Sequence, residues 1–202
     1  MFRSRTLSKN SKTKKNSFNR ATQNMVNHLS TNNFINAEDH SHYDKELFRF
    51  CKDLLIQINS KGFITENSQL GSSKPGFEER SYLCGFIRKE YSKQFIKYIN
   101  EKCNNKMAVI IKSPITKATK KIIVTYDAGE PYSVFTTNLE EKVIKQMYRD
   151  NKISRRSADY ILIIDNEFGR IANDYQGLFV DVVDALNHTN NRTRRSWLKF
   201  WN

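Results

Sequence analysis

An unbroken apolar run near the C-terminal end, from Tyr160 to Ile164, limits the possible folds of this chain more than any other feature. Its five residues, YILII, leave no polar position of the kind that faces solvent on a half-exposed strand. We therefore predict a central strand that is buried on both faces. A sheet that contains such a strand needs covering elements on each of its sides.

The covering elements are predicted to be amphipathic helices. Apolar residues recur at spacings of three and four after Asp44, after Ser92 as an N-cap, and after a capping box from Thr137 to Glu140. A further amphipathic helix is predicted from Leu178 onward. Because helices alternate with β-rich runs, we predict a mixed α+β fold in which one mixed sheet is covered by amphipathic helices and flanked by basic terminal arms.

The β-rich runs complete the predicted sheet. They cover residues 63–65, 80–87, 107–111, 122–126 and 134–136. Residues 66–79 are predicted to form a loop between the first two strands. The runs over 107–111 and 122–126 are predicted to pair as a hairpin, because a polar connection that starts near Pro114 joins them.

Charge divides the chain into three parts. The formal net charge is +13, yet residues 1–37 hold seven cations and no acid, and four cations follow Asp184. Taking 7 and 4 from 13 leaves a net charge of +2 for the middle. We predict a basic N-terminal arm over 1–37, a mixed α/β domain over 38–187, and a basic-aromatic C-terminal arm over 188–202. Basic arms are typical of proteins that contact phosphate, an anionic lipid surface or an acidic protein face.

The two arms supply the predicted contacts to an anionic partner. These cations are Arg3, Arg5, Lys9, Lys12, Lys14, Lys15, Arg20, Arg192, Arg194, Arg195 and Lys199. In the second arm, Trp197, Phe200 and Trp201 lie three and four residues apart, so one helical turn would present them together to a partner protein. Two alternatives stay open: this turn packs back on its own domain, or its rings stack on nucleic-acid bases.

A polar segment from Gly62 to Ile87 holds four of the seven glycines. Thr65, Ser68 and Gln69 follow a short predicted strand, and Arg80 opens the strand predicted to pair with it. These four residues are the predicted binding loop for a ligand or partner chain. The alternative is a loop whose hydroxyl and amide groups bind its own backbone.

Two motifs of this segment resemble uncharacterised proteins of large DNA viruses of protists and uncharacterised domains in bacteria and phages. They are GFIT-x-x-SQ over 62–69 and ER-x-Y-x-x-GF over 79–86. The stretch from Ile164 to Phe179 is similar as well, so the resemblance covers about residues 44–187. It implies a viral setting and does not imply an activity.

Carboxylates at predicted strand ends raise a nuclease-like alternative. Asp165 and Glu167 end one strand, and Asp127 and Glu130 lie at the end of another, where such groups can hold a divalent metal. The lysine that usually follows is missing, because residues 168–170 are FGR. No nucleotide-binding or hydrolase motif is present, and the histidines and cysteines lack ligand spacing, so we predict no metal site and no cofactor.

The cysteines and the hydropathy pattern bear on location. Cys51, Cys84 and Cys103 each lie in an apolar pattern, which predicts buried free thiols in a reducing compartment. The sequence has no apolar run of spanning length and no secretory signal pattern, so we predict neither secretion nor a transmembrane segment. The expected location is the virion or the host cytoplasm.

Three functions follow from these patterns, and the viral setting of the first is what the resemblance implies. The first is a non-enzymatic structural or interaction protein, a minor capsid or virion-associated component of a large DNA virus whose basic arms contact neighbouring subunits or an anionic partner. The alternative is a soluble nucleic-acid-binding protein. The third is a metal-dependent, nuclease-like enzyme. The expected partners are other protein subunits, with nucleic acid or an anionic membrane face as further options.

Overall fold

The computed structural model describes residues 5–31, 45–104, 106–111, 120–169 and 177–198, with side chains over 17–31, 49–71, 75–104, 106–111, 120–169 and 177–191. Its helices are α1 Arg5–Thr31, α2 Lys45–Ser60, α3 Lys89–Lys102, α4 Glu141–Asp150 and α5 Leu178–Leu198. Its strands are β1 Phe63–Gln69, β2 Ser72–Lys74, β3 Phe77–Glu79, β4 Tyr82–Arg88, β5 Lys106–Ile110, β6 Lys121–Asp127, β7 Glu130–Thr136 and β8 Ala158–Asp165.

These strands form two four-stranded sheets. Sheet A has the order β1-β4-β8-β5, and sheet B has the order β2-β3-β6-β7. Every pairing in both sheets is antiparallel. The predicted α+β class is confirmed, whereas the prediction of one mixed sheet is wrong.

One long hairpin contributes strands to both sheets. It runs from β1 into β2, turns at Pro75 and Gly76, and returns through β3 into β4. Gly76 has φ +79°, which suits the third position of a turn that has proline at the second. Apart from an irregularity between Thr65 and Asn67 in β1, the pairing is interrupted around residues 70–71 and 80–81, where the hairpin passes from sheet A to sheet B. The predicted loop over 66–79 is therefore wrong, because most of its polar residues lie on strands.

The predicted hairpin between 107–111 and 122–126 is also wrong. β5 pairs with β8 in sheet A, whereas β6 pairs with β3 and β7 in sheet B. The physical reason lies in β8, whose apolar residues require a partner strand along each edge and obtain them from β4 and β5. All but one of the residues of β8 are buried, which confirms the predicted central strand.

The two faces of sheet A are covered by different layers. The helix-covered face packs against α2, α3 and α5, and its buried residues include Ile58, Phe63, Leu83, Phe95, Ile163, Val182 and Leu186. The sheet-covered face packs against sheet B, α1 and α4, and its buried residues include Phe18, Ile64, Phe86, Val124, Ile144, Tyr160 and Leu162. Both layers are needed because the residues of β8 alternate between the two clusters.

Two predicted helix starts are wrong. α3 begins at Lys89, and the predicted cap Ser92 is a buried residue of its first turn. α4 begins at Glu141 without a side-chain cap. The predicted capping residue Thr137 instead accepts a hydrogen bond at Oγ1 from the backbone N–H of Lys120, at 3.0 Å, so it extends the pairing of β6 with β7.

Side chains of α1 pack onto the sheets. Phe18 is 1% exposed in the cluster on the sheet-covered face, and Leu29 is buried next to α2. At the other end of the chain, Thr189 of α5 is buried, and Asn190 Nδ2 donates to the Lys61 carbonyl oxygen at 3.1 Å. The division into arms and domain stays a prediction, although both terminal helices contact the part assigned to the domain.

Cys51, Cys84 and Cys103 are free and buried, which confirms the predicted state of the thiols. Burial raises the pKa of each thiol to about 11. In the described part of the chain, no helix is long and apolar enough to span a bilayer.

Candidate functional site

The four residues of the predicted binding loop do not meet in one place. Thr65 is bound by the buried Asn59 at the end of α2: Asn59 Nδ2 donates to Thr65 Oγ1 at 2.8 Å, and Thr65 N–H donates to Asn59 Oδ1 at 2.9 Å. This pair of hydrogen bonds satisfies the polar groups of both residues in the core. Thr65 therefore connects α2 to β1.

Ser68 and Gln69 lie on opposite faces of sheet A. Ser68 pairs with Leu83, which belongs to the helix-covered face, and Gln69 pairs with Tyr82, which belongs to the sheet-covered face. Paired residues point to the same side of a sheet, and neighbours along a strand point to opposite sides. Gln69 Nε2 lies 3.5 Å from Thr125 Oγ1 of sheet B.

Arg80 lies at the bend of the long hairpin. Its backbone N–H donates to the Val124 carbonyl oxygen at 2.8 Å, and its guanidinium carbon lies 4.2 Å from the centre of the Phe168 ring. Burial lowers the pKa of Arg80, while Tyr126 and Asp165 act in the opposite direction. Arg80 thus holds the segment after β8 against sheet B through a cation–π contact.

The acids of the nuclease-like alternative lie on different sheets. Asp165 ends β8 in sheet A, with its side chain 1% exposed, whereas Asp127 and Glu130 are exposed and face each other across the β6–β7 turn. Lys106 Nζ lies 3.6 Å from Asp165 Oδ2 and 2.9 Å from Asp181 Oδ2, so a lysine supplies the positive charge there. Among the described residues, no group of three His, Cys, Asp or Glu side chains could hold a metal ion.

A cleft of about 340 Å³ lies beside β1, the first edge strand of sheet A. It is lined by both Thr65 and Ser68, the two predicted residues that share a face. Its apolar wall consists of Met25, Leu29 and Leu55, which come from α1 and α2. Its remaining lining residues are His28, Lys52, Glu66 and Asn67.

A second cavity, of about 350 Å³, lies beside β5, the opposite edge strand of sheet A. We call it the α3–α4 cavity, because α3 and α4 form two of its sides. Three cations and one carboxylate line it: Lys89, Lys93, Arg155 and Asp159. Its apolar wall is formed by Ile110, Ile111, Ile144 and Tyr148. No local pattern in the sequence marks this cavity, since its residues come from four separate stretches of the chain, 89–93, 110–111, 144–148 and 155–159.

Hydrogen bonds hold the polar side of the α3–α4 cavity in place. Ser92 Oγ donates to Asp159 Oδ2 at 2.5 Å, and Lys89 Nζ lies 3.8 Å from Asp159 Oδ1. Arg155 binds both carboxylate oxygens of Glu141. Tyr148 OH donates to the Ala158 carbonyl oxygen at 3.0 Å, and burial raises the pKa of Tyr148 to about 12. The carboxylate and the phenol are therefore fixed before any ligand binds.

Most of the predicted partner-contact residues lie on the terminal helices. Arg5, Lys9, Lys12, Lys14, Lys15 and Arg20 belong to α1, and Arg192, Arg194, Arg195 and Trp197 belong to α5. Arg3, Lys199, Phe200 and Trp201 lie outside the described residues. α1 is attached near Arg88, whose Nη2 donates to Asn19 Oδ1 and whose guanidinium carbon lies 4.9 Å from the centre of the Phe18 ring.

Comparison with known proteins identifies a family. A family model described as "Domain of unknown function (DUF6919)" matches residues 14–189, so the match extends from within α1 to within α5 and includes both cavities. No curated protein matches the chain.

Proposed function

The chain belongs to the DUF6919 family, and we propose that it is a non-enzymatic interaction protein that contacts nucleic-acid phosphates through its basic helix α1. The observation that carries this proposal is the composition and attachment of α1. The helix holds six Lys and Arg residues and no Asp or Glu. Its second half packs against the sheets through Phe18, so its first half continues from an anchored helix.

The composition of α1 favours phosphate over a lipid surface. Leu7 is the only large apolar residue between positions 5 and 16. A helix that lies in a membrane interface needs an apolar face that enters the headgroup region, and this segment has none. A row of cations without apolar partners instead suits the phosphates of a nucleic-acid backbone.

Further cations lie next to the attachment point of α1. Arg88 contacts α1 directly, and Lys89 follows it in the chain and lines the α3–α4 cavity with Lys93 and Arg155. Arg156 is exposed beside Arg155. These residues add positive charge near the point where Arg88 contacts α1, which would lengthen the path of a bound strand.

The proposal is tested by fluorescence anisotropy with a labelled single-stranded oligonucleotide at several salt concentrations. Binding should weaken steeply with salt, because each neutralised phosphate contributes about −0.7 to the slope of log K against log salt for single strands. The variant K12Q/K14Q/K15Q should reduce the magnitude of that slope by about 2.

The matched control is K97Q/K102Q/K121Q, which removes the same number of exposed cations from α3 and β6. It should retain the wild-type slope. No binding at low salt, a flat salt response, or equal effects of the two variants would overturn the proposal. The virion-associated role implied by the viral resemblance stays a prediction, and incorporation of a chain that lacks residues 1–22 into particles would contradict it.

A further inference from the structure

We infer that the α3–α4 cavity binds one nucleoside monophosphate unit, either free or as an unpaired nucleotide within a strand. This inference goes beyond the contact of α1 with phosphates, because it concerns a defined cavity on the domain and does not require the cations of α1. It follows from the size of the cavity, from its charge and from the division of its lining into a polar and an apolar side.

The size and the apolar side define the body of the ligand. A volume of about 350 Å³ lies in the range of small-molecule sites, which starts near 300 Å³. Ile110, Ile144 and the ring of Tyr148 form a wall without hydrogen-bonding side chains apart from the phenol, whose OH is already bound to a backbone carbonyl. Such a wall suits one face of a flat ring.

The polar side defines the rest of the ligand. Among the described residues, Lys93 has no ion pair, whereas Lys89 lies 3.8 Å from Asp159 and Arg155 is paired with Glu141. When Glu141, the partner of Arg155, is counted with Asp159, three cations stand against two carboxylates, so the cavity keeps a positive balance that favours an anion. Lys89 and Lys93 both project from the first half of α3, which places a phosphate on that side.

Asp159 distinguishes a nucleotide from other anions with an apolar part. Its carboxylate is fixed by Ser92 and lies in the lining, where it can accept hydrogen bonds from a ribose hydroxyl or a base amine. A fatty acid would offer no donor to this carboxylate. A sugar phosphate would satisfy the polar side and leave the apolar wall in water.

The test is methyl NMR of the full chain during titration with adenosine 5′-monophosphate. The Ile110 and Ile144 methyl signals should shift in a saturable way, because both side chains line the cavity. Ile58, in the core beside α2, reports on unrelated changes and should not shift. Absence of a saturable shift at millimolar nucleotide would overturn the inference.

The variant K89Q/K93Q should weaken nucleotide binding at least about tenfold, since both charge-assisted hydrogen bonds from α3 to the phosphate are lost. The matched control is K97Q/K102Q, which removes two exposed cations from the same helix outside the cavity. It should bind like the wild type. All four lysines are exposed, so both variants should fold. Equal loss in both variants would contradict a site in the cavity.

Three further ligands test separately how much the nucleoside, the sugar phosphate and the phosphate contribute to binding. Adenosine, ribose 5-phosphate and inorganic phosphate should each bind more weakly than the nucleotide, and equal binding of inorganic phosphate would reduce the site to a general anion site. A single-stranded oligonucleotide that shifts the same Ile110 and Ile144 signals would assign the site to an unpaired nucleotide of a strand. A shift with free nucleotide alone would assign it to a metabolite.

The outcomes for α1 and for the cavity are separable. K12Q/K14Q/K15Q should lower the salt dependence of strand binding and leave the binding of free nucleotide unchanged. If the K12Q/K14Q/K15Q variant binds strands like the wild type but nucleotide still shifts the Ile110 and Ile144 signals, only the α1 proposal is overturned. If the variant weakens strand binding but nucleotide causes no shift, only the cavity assignment is overturned.

Discussion

The two faces of sheet A differ in how their covering layers are assembled. Three helices cover one face, whereas the opposite face is covered by sheet B together with α1 and α4. Helices from both layers approach each other along the two edge strands, β1 and β5, and a cavity lies at each of these edges. The comparison shows that the candidate sites of this fold lie at the borders between layers.

The two edge cavities are nearly equal in size and differ in chemistry. The one beside β1 combines an apolar wall with two residues of the motif that the sequence singled out, Thr65 and Ser68. The one beside β5 has a surplus of cations and no such motif. The cavity that contains residues of the sequence motif is thus not the one that suits an anionic ligand.

The largest expected effect is on the helix-covered face, at the buried pair of Lys106 and Asp165. K106M should lower the free energy of unfolding by about 3–5 kcal/mol, because it removes the lysine that forms an ion pair with the buried carboxylate of Asp165. The double variant K106M/D165L should regain much of this loss in urea unfolding. A single variant as stable as the wild type would show that this face does not depend on the pair.

A somewhat smaller effect is expected on the sheet-covered face. F18A should lower the free energy of unfolding by about 3 kcal/mol, because Phe18 is 1% exposed and contacts Arg88. R20A, at an exposed position of the same helix, should change it by less than about 0.5 kcal/mol. Urea unfolding measures both values. Equal stability of F18A and R20A would mean that α1 contributes little to the cover of this face.

The smallest effect concerns thiols on both faces. Burial raises the pKa of Cys51 and Cys103 on one face, and of Cys84 on the other, from 9.0 to about 11. Because the folded pKa is above the unfolded one, the resulting stabilisation is complete below pH 9 and is lost as the pH rises through about 11. We expect no reaction with a disulfide reagent at pH 8 in the folded state and reaction of all three thiols in urea. Rapid labelling of one native thiol would identify a face that opens.

The sequence predicts the helices of the helix-covered face, whereas on the sheet-covered face it predicts α4 and β6 but neither the helix α1 nor a second sheet. A stripe with helical period reports the local geometry of α2 and α5, and the run in β8 reports burial on both sides. β2 and β3 are three-residue strands rich in polar and charged residues, so no local pattern marks them. The partners of β5 and β6 depend on contacts between distant segments, which hydrophobic periodicity does not encode.

The same limit applies to the site. The sequence predicts a shared site for Thr65, Ser68 and Gln69 because they are close together in the chain. Neighbours along a strand point to opposite faces of the sheet, however, so Ser68 and Gln69 are separated. Lys106 and the residues of the α3–α4 cavity are ordinary in the sequence, where isolated lysines are frequent. Burial beside Asp165 gives Lys106 its role, and only the packing of distant elements brings Lys89, Arg155 and Asp159 together.

The order of strands in sheet A has a consequence for how the chain acquires its structure. The long hairpin of β1 to β4 joins neighbours in the sequence, so it can form early at a low cost in loop entropy. β8 lies between β4 and β5, although it follows both in the chain by many residues. Until β8 inserts, β4 and β5 have unpaired edges. Insertion of β8 should therefore be the late step that commits the protein to its native state, and during synthesis the emerging chain should remain prone to association until residue 165 has left the ribosome.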